Sequence, residues 1–213
     1  MGLAQPKTET IYTVEEYLEM ERGAPAGFRH EYIDGEIYAM AGESGAHADI
    51  SANLVLIIGS QLRGKDCRVR TKDTKVRSGV PQKNTFPPKG LFSYPDLVVI
   101  CGAPEYHDQY KDVVTNPKLI IEVLSELTEY FDRHLKFHRY RRHNPTLTDY
   151  ILVAQDVPVV EHYIRETQDE SWRVWTYEGL DAKFMIDSIE CEVNLAEVYD
   201  RIEFEETPES EAA

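Results

Sequence analysis

The stretch from Asn116 to Tyr140, NPKLIIEVLSELTEYFDRHLKFHRY, constrains this chain more than any other. Leu119-Ile120-Ile121 and Val123-Leu124 form a short apolar run behind a proline, the pattern of a strand buried on both faces. Glu122 interrupts that run. A carboxylate inside such a strand is costly unless it is paired, hydrogen-bonded or bound to a metal. Ser125 and Thr128 then offer helix caps, and the pattern predicts a helix from about Glu129 to Arg142. On it Asp132, Lys136 and Tyr140 recur every four residues and so share one face. The chain must fold around a polar centre.

The partner of that centre lies upstream in YPDLVVICG. Pro95 cannot donate to a sheet ladder and marks a strand start. Asp96 follows it, and Leu97 to Cys101 read as a second buried strand. If the two strands are neighbours, Asp96 and Glu122 converge on one hard cation. Magnesium suits such a pair, with water and substrate phosphate completing its shell. The plainer alternative is an Asp that caps a loop and a Glu salt-bridged to Lys136. Both carboxylates together with a nearby Lys favour a metal site.

Length and composition permit one ordinary globular domain: 213 residues, 42% hydrophobic and 29% charged. The expected division is a flexible N-terminus over 1–11, a single domain over 12–203 and an acidic disordered tail over 204–213. No apolar stretch is long enough to span a membrane and no N-terminal signal pattern is present. Cys67, Cys101 and Cys191 are widely spaced and odd in number, so they read as free thiols in a reducing, cytoplasmic compartment. A net charge of -15 repels nucleic acid on average. The bases are nevertheless clustered, at Arg63, Lys65, Arg68, Arg70, Lys72, Lys75, Arg77, Lys83 and Lys89, and again at Arg133, Arg139, Arg141 and Arg142. Such faces suit phosphate, and equally suit plain solvation.

Thr13 opens a helix with glutamates in its first turn. Asp34-Gly35 marks a hairpin turn between two alternating runs, with Glu31 and Glu36 beside it. Either could add a third carboxylate to the centre, although Glu36 reads as a surface charge. Ser44 to Arg63 is a helix with an apolar stripe of Ile50, Leu54, Ile57, Ile58 and Leu62. His47 in its first turn reads as a packing or hydrogen-bonding residue sooner than a site residue. Strands follow near Cys67 to Thr71 and Lys75 to Arg77, then a Pro- and Lys-rich loop from Gly79 to Gly90 that could act as a flap. After the central helix come a buried strand (Tyr150 to Ala154), antiparallel strands around VPVVEHYIRE and SWRVWTYEG with a turn at Gln168-Asp169-Glu170, a short strand within Asp181 to Ile189, and a helical end at Leu195 to Val198. This order is α/β, with a central mixed sheet flanked by helices, an N-terminal hairpin and C-terminal antiparallel strands.

The blocks EYIDGEIYAMAG, YPDLVVICG and NPKLIIEVLS, followed by an Asp-x-x-x-Lys-x-x-x-Tyr helix, resemble the PD-(D/E)xK superfamily of restriction-endonuclease-like nucleases. More closely they resemble its Uma-two family of endonucleases, long known as a domain of unknown function. The resemblance runs from about Tyr12 to Phe204. It implies that Asp96 and Glu122 hold Mg2+ or Mn2+, that a Lys helps activate water against a phosphodiester, and that Glu31 matches the family's early acidic residue. The superfamily Lys normally stands two residues after the Glu, on the same strand face. Here that position is Leu124, and Lys136 on the following helix is the expected replacement. Glu126-Leu127 also departs from the Pro-Ser pair usual among relatives.

The expected function is a metal-dependent DNA endonuclease with Glu31, Asp96, Glu122 and Lys136 as catalytic residues. Asp132 would orient Lys136, and Tyr140 would contact phosphate or pack. One alternative is a nuclease-fold DNA-binding or regulatory protein without catalysis, favoured by the missing motif Lys and the acidic charge. Another is a phosphoesterase for small substrates. The aromatic strand near Trp172 suggests a homodimer.

Overall fold

The computed structural model describes residues 10–40, 42–82, 85–166 and 171–204. The expected loose start and acidic tail fall almost wholly outside these residues, as does the turn at Gln168-Asp169-Glu170. Thr13 caps α1 (Val14–Arg22) through a complete capping box with Glu16. The chain then forms the hairpin β1 (His30–Ile33) and β2 (Glu36–Ala39). Its turn residues Asp34 and Gly35 both have positive φ, 48° and 99°, as a tight two-residue hairpin turn requires. Ser44 caps α2 (Gly45–Gln61) by accepting from the His47 N–H.

Five strands follow: β3 (Cys67–Thr71), β4 (Lys75–Gln82), β5 (Lys89–Ser93), β6 (Leu97–Cys101) and the short β7 (Val113–Val114). Next come β8 (Leu119–Val123) and one unbroken helical stretch: α3 (Glu129–Phe131), a π turn (Asp132–Lys136) and α4 (Phe137–His143). The chain closes with β9 (Asp149–Val153), β10 (Val159–Arg165), β11 (Trp172–Glu178), the hairpin β12 (Lys183–Ile186) and β13 (Cys191–Asn194), and α5 (Leu195–Val198).

Two larger sheets carry the fold. The central one has the order β11-β10-β9-β8-β6-β3, with β8 and β9 parallel and the other neighbours antiparallel. The second has the order β2-β1-β5-β4-β7. Leu119, Ile121 and Val123 point to one face of the central sheet, where Ile50, Leu54 and Ile58 of α2 and the β12-β13-α5 unit cover them. Ile120 and Leu124 point to the other face, into a core shared with Tyr140, Tyr150 and the second sheet's Ile33, Val76 and Leu91. Strand alternation puts Glu122 on that second face. Burying each large aliphatic side chain stabilises by about 1.5–3 kcal/mol. Two such cores can offset the several kcal/mol that each buried ion costs.

The structure revises several local expectations. Thr128 makes no capping hydrogen bond, because it already lies in the helical region; the helix starts instead from the Ser125 carbonyl, which accepts from Glu129 N. The ends of the expected Gly79–Gly90 loop are strand: a register shift between Ser78 and Gln82 lets the ladder continue to the Gln82–Lys89 pair, while Lys83 and Asn84 lie outside the described residues. Gly79 (φ 80°) permits this, and a Cβ there would stand 3.0 Å from His143 Cγ. Cys67 and Cys101 are not free thiols. They face each other across β3 and β6 and form a disulfide, leaving Cys191 as the free cysteine among the described residues. The thiol argument for a reducing compartment falls with them. Among the described residues no helix is long and apolar enough to cross a membrane.

Asp149 ties β9 to the C-terminal hairpin. Its carboxylate accepts from His162 Nε2 at 2.7 Å and from the hydroxyls of Thr148 and Ser188. Burial alone would raise its pKa, but these hydrogen bonds outweigh burial and hold it below the usual range. Asp149→Ala should therefore destabilise the fold at neutral pH by about 3 kcal/mol, as breaking a buried pair does. A depressed folded pKa stabilises fully above the unfolded value near ~3.9 and loses that stabilisation as pH falls through the folded value. Urea unfolding should show the gap between wild type and variant narrowing as pH falls below the unfolded value and through the depressed folded one.

Candidate active site

The end of the central sheet, the second sheet and the helical stretch meet at one lysine. Lys136 Nζ lies 3.0 Å from Asp132 Oδ1, 3.3 Å from Glu122 Oε1 and 3.3 Å from Glu31 Oε1. All four residues are at most 5% exposed. They come from three pieces of local structure. Glu122 stands inside β8. Glu31 projects from β1 on the side of Ile33, away from Tyr32. Asp132 and Lys136 bracket the π turn, where Phe137 N–H reaches back to Asp132 O. Such wide turns are concentrated at functional sites.

Asp96 sits immediately before β6, in line with Glu122 by the antiparallel register that pairs Leu97 with Ile121. Its Oδ2 accepts from Val123 N–H at 2.8 Å, which fixes the carboxylate at the strand end. Asp96, Glu122, Glu31, Asp132 and Lys136 all line one small recess of about 20 Å3, together with His47, Met40, Tyr94, Val123 and Thr128. The condition set for the two strands, that they be neighbours, is thus met. Glu36 is not part of the recess; it accepts from the Tyr38 hydroxyl. Tyr140 is fully buried, with its hydroxyl 2.6 Å from Ser93 Oγ and 3.5 Å from Glu122 Oε1, and it packs below the recess.

Charge at the recess is unbalanced. Burial pushes Glu122 well above the ordinary carboxylate range, and Asp132, Asp96 and Glu31 push the same way against the opposing Lys136. Glu31 is raised as well, by burial first, with Lys136 and the Tyr94 N–H opposing. Burial pulls Lys136 down, but Asp132, Glu122 and Glu31 overcome it and hold the ammonium well above its usual range. The lysine stays charged, and one ammonium does not balance four carboxylates. A divalent cation would relieve the excess, and the oxygen-rich lining has the chemistry to hold one.

Two further groups reach the same place from the start of α2, His47 in its first turn and Glu43 just before its Ser44 cap. His47 Nε2 lies 3.2 Å from Asp96 Oδ2, and Glu43 Oε2 lies 3.1 Å from His47 Nδ1. Ligand atoms of Glu43, His47 and Asp96 all lie within 4.8 Å of one another, a spacing that could hold a metal ion. Sequence reasoning passed over Glu43 and read His47 as a packing residue. The available signal was their spacing of four across the Ser44 cap.

The clustered bases do not form one free face. Lys72 pairs with Glu43, Arg77 donates to His107 Nδ1, Arg133 pairs with Glu129 and Glu161, and Arg139 pairs with Asp34. Lys75 is buried, its ammonium over the rings of Tyr17 and Tyr94. Arg63, Arg68, Arg141 and Arg142 remain exposed.

A family model described as "Putative restriction endonuclease", Uma2, matches residues 14–196. The chain belongs to the Uma2 family. Two Synechocystis proteins are similar over most of their length: uncharacterized protein slr1290, 35% identical over 78% of this chain and 80% of that protein, and uncharacterized protein sll1609, 32% identical over 83% and 93%. A crystal structure described as a "putative nuclease belonging to DUF820" from Anabaena variabilis superposes with a TM-score of 0.68, covering 88% of this chain and 97% of that one. At 16% identity it establishes the fold alone. Family membership and the mixed α/β nuclease-like fold agree with the expectation from the sequence blocks.

The lysine-centred cluster of this Uma2 chain gives a direct stability test. Lys136→Ala leaves three buried carboxylates without their ammonium, a loss of about 3–5 kcal/mol for a broken buried pair. For a domain of this size that lowers the melting temperature by roughly 6–20 °C. Differential scanning calorimetry at neutral pH is the check; an unchanged melting temperature would mean that the cluster does not support the fold.

Proposed function

We propose that this Uma2 protein is a divalent-metal-dependent endonuclease that hydrolyses phosphodiester bonds of DNA. The observation that carries the reading is the recess itself: four buried carboxylates against one ammonium, in a chain of a nuclease family. Asp96 and Glu122 would hold Mg2+ or Mn2+. When bound, such an ion supplies Lewis-acid stabilisation of the phosphoryl oxygens and lowers the pKa of a coordinated water.

The chain's own groups do the rest. Asp96 is pre-set by the Val123 N–H, so its free lone pairs face the recess. Glu122 is offered from a rigid strand. Lys136 takes the part of the lysine missing at Leu124: Leu124 is packed into the core, whereas Lys136 Nζ stands 3.3 Å from Glu122. From there an ammonium can hold a water or a phosphate oxygen by charge-assisted hydrogen bonds. Glu31 and Asp132 keep that ammonium oriented and charged. The same reading takes residues 12–203 as one domain. It also takes a homodimer as the working form, since β11 is an edge strand with Val174 and Trp175 about half exposed.

A second reading has one observation in its favour. Three carboxylates already satisfy Lys136, an arrangement that also suits a nuclease fold kept for binding alone. Cleavage of supercoiled plasmid with Mg2+ or Mn2+ separates the two. The endonuclease should nick or linearise the plasmid, stop with a chelator, and lose at least about 100-fold in rate in Asp96→Ala, Glu122→Ala and Lys136→Ala. Metal binding by calorimetry without cleavage of any duplex or single-stranded DNA would favour the binding protein. Turnover confined to small phosphodiesters would make it a phosphoesterase.

A further inference from the structure

Asp96 has a neighbour outside the lysine cluster. The Ser44 cap fixes the first turn of α2 and sets His47 beside Asp96, with Nε2 3.2 Å from Oδ2. His47 is 1% exposed. Its Nδ1 meets Glu43 Oε2 at 3.1 Å. A carboxylate only accepts, so Nδ1 carries the proton and donates it to Glu43; that partner assigns the tautomer. In the neutral ring, the form in which imidazole binds a metal, Nε2 is then a lone pair. It is buried and makes no hydrogen bond. Opposite it, Asp96 Oδ2 already accepts from Val123 N–H. In that form two acceptors face each other 3.2 Å apart, an arrangement that is costly in a buried site unless a cation or a proton stands between them.

The spacing suits a shared cation. Ligands bound at about 2.0–2.2 Å stand about 3.0–3.5 Å apart around one ion. Glu43 is engaged on both oxygens, by His47 on one and by Lys72 on the other. Its place is behind the imidazole, in the carboxylate–histidine–metal arrangement that fixes a ligand's tautomer and raises its basicity. Magnesium favours an all-oxygen shell, whereas first-row transition-metal ions accept imidazole, zinc and iron more readily than manganese.

We propose that His47, oriented by Glu43, is a ligand of the divalent cation held at Asp96. The site is then a mixed imidazole–carboxylate one that takes a manganese-, cobalt- or zinc-class ion in preference to magnesium. This rests on the reading that Asp96 holds a cation. Glu43 is a positioning residue: it acts through His47 and touches no substrate.

The test uses the full chain with Mn2+ and Mg2+ as probes. Calorimetry gives affinities for the wild type, His47→Gln, Glu43→Ala and Asp96→Ala, and pulsed paramagnetic resonance of bound Mn2+ reports nitrogen coupling from a ligated imidazole. The wild type should bind Mn2+ at least about tenfold more tightly than Mg2+ and show nitrogen coupling. His47→Gln should abolish the coupling and bring the two affinities together. Glu43→Ala alters a partly exposed residue, so the fold should persist, and Mn2+ affinity should drop about 10–100-fold. Mn2+ bound without nitrogen coupling, or with affinity unchanged in Glu43→Ala and His47→Gln, would overturn the role of His47 while leaving a cation on Asp96. No Mn2+ binding to the folded wild type would overturn both readings.

Discussion

One ammonium among three buried carboxylates governs this molecule. Lys136 meets Asp132, Glu122 and Glu31 at 3.0–3.3 Å, and these come from a helical turn, a strand of the central sheet and a strand of the second sheet. None can leave without stranding charge in a place where water does not compensate it. The contact therefore works as a three-way tie between layers that also meet through aliphatic and aromatic packing and through more exposed pairs such as Arg139–Asp34 and Arg133–Glu161. It also accounts for the polarity of a strand whose other residues are all apolar. Glu122 is tolerated because its partners are built in, and its neighbours Ile120 and Leu124 fill the space around it.

The architecture was legible wherever local chemistry and global fold agree. Pro95 before an apolar run, Glu122 inside another and the capping box at Thr13 all appear as expected. So does the tight turn at Asp34-Gly35, because each depends on residues adjacent in the chain. The convergence of Asp96 and Glu122 was expected on the condition that their strands were neighbours, and the family resemblance pointed to Lys136 as their companion. What escaped depended on strand order. The Cys67–Cys101 bond needs β3 beside β6 in register, and three widely spaced cysteines carry no sign of that. Glu43 escaped because an acidic residue in a Gly-Glu-Ser segment before a helix cap looks like an ordinary loop charge. Its meaning appears only once α2 is seen to aim its first turn at Asp96.

Charge gave the least transferable reading. The basic clusters look like a phosphate-binding face in one dimension. In three dimensions Arg133, Arg139, Lys72 and Arg77 are used to join elements to one another. The strongly acidic balance of the chain is thus partly an internal matter: the bases are spent inside, and a smaller set of exposed arginines is left to meet a polyanion.

The π turn has a consequence for how this fold tolerates changes in length. A turn of this kind holds one residue more than an α-helical turn. Deleting a residue within it would make the helix more regular, and by the usual local criteria better. Phe137 N–H would then meet the Asp132 carbonyl as an ordinary α-helical bond, so Tyr140 and the rest of α4 would stay near their present places. The change would be confined to the turn, where Asp132 and Lys136 would stand three residues apart instead of four. The extra residue is therefore a local setting of the lysine against its carboxylates, and its loss would fall on the recess and spare the core.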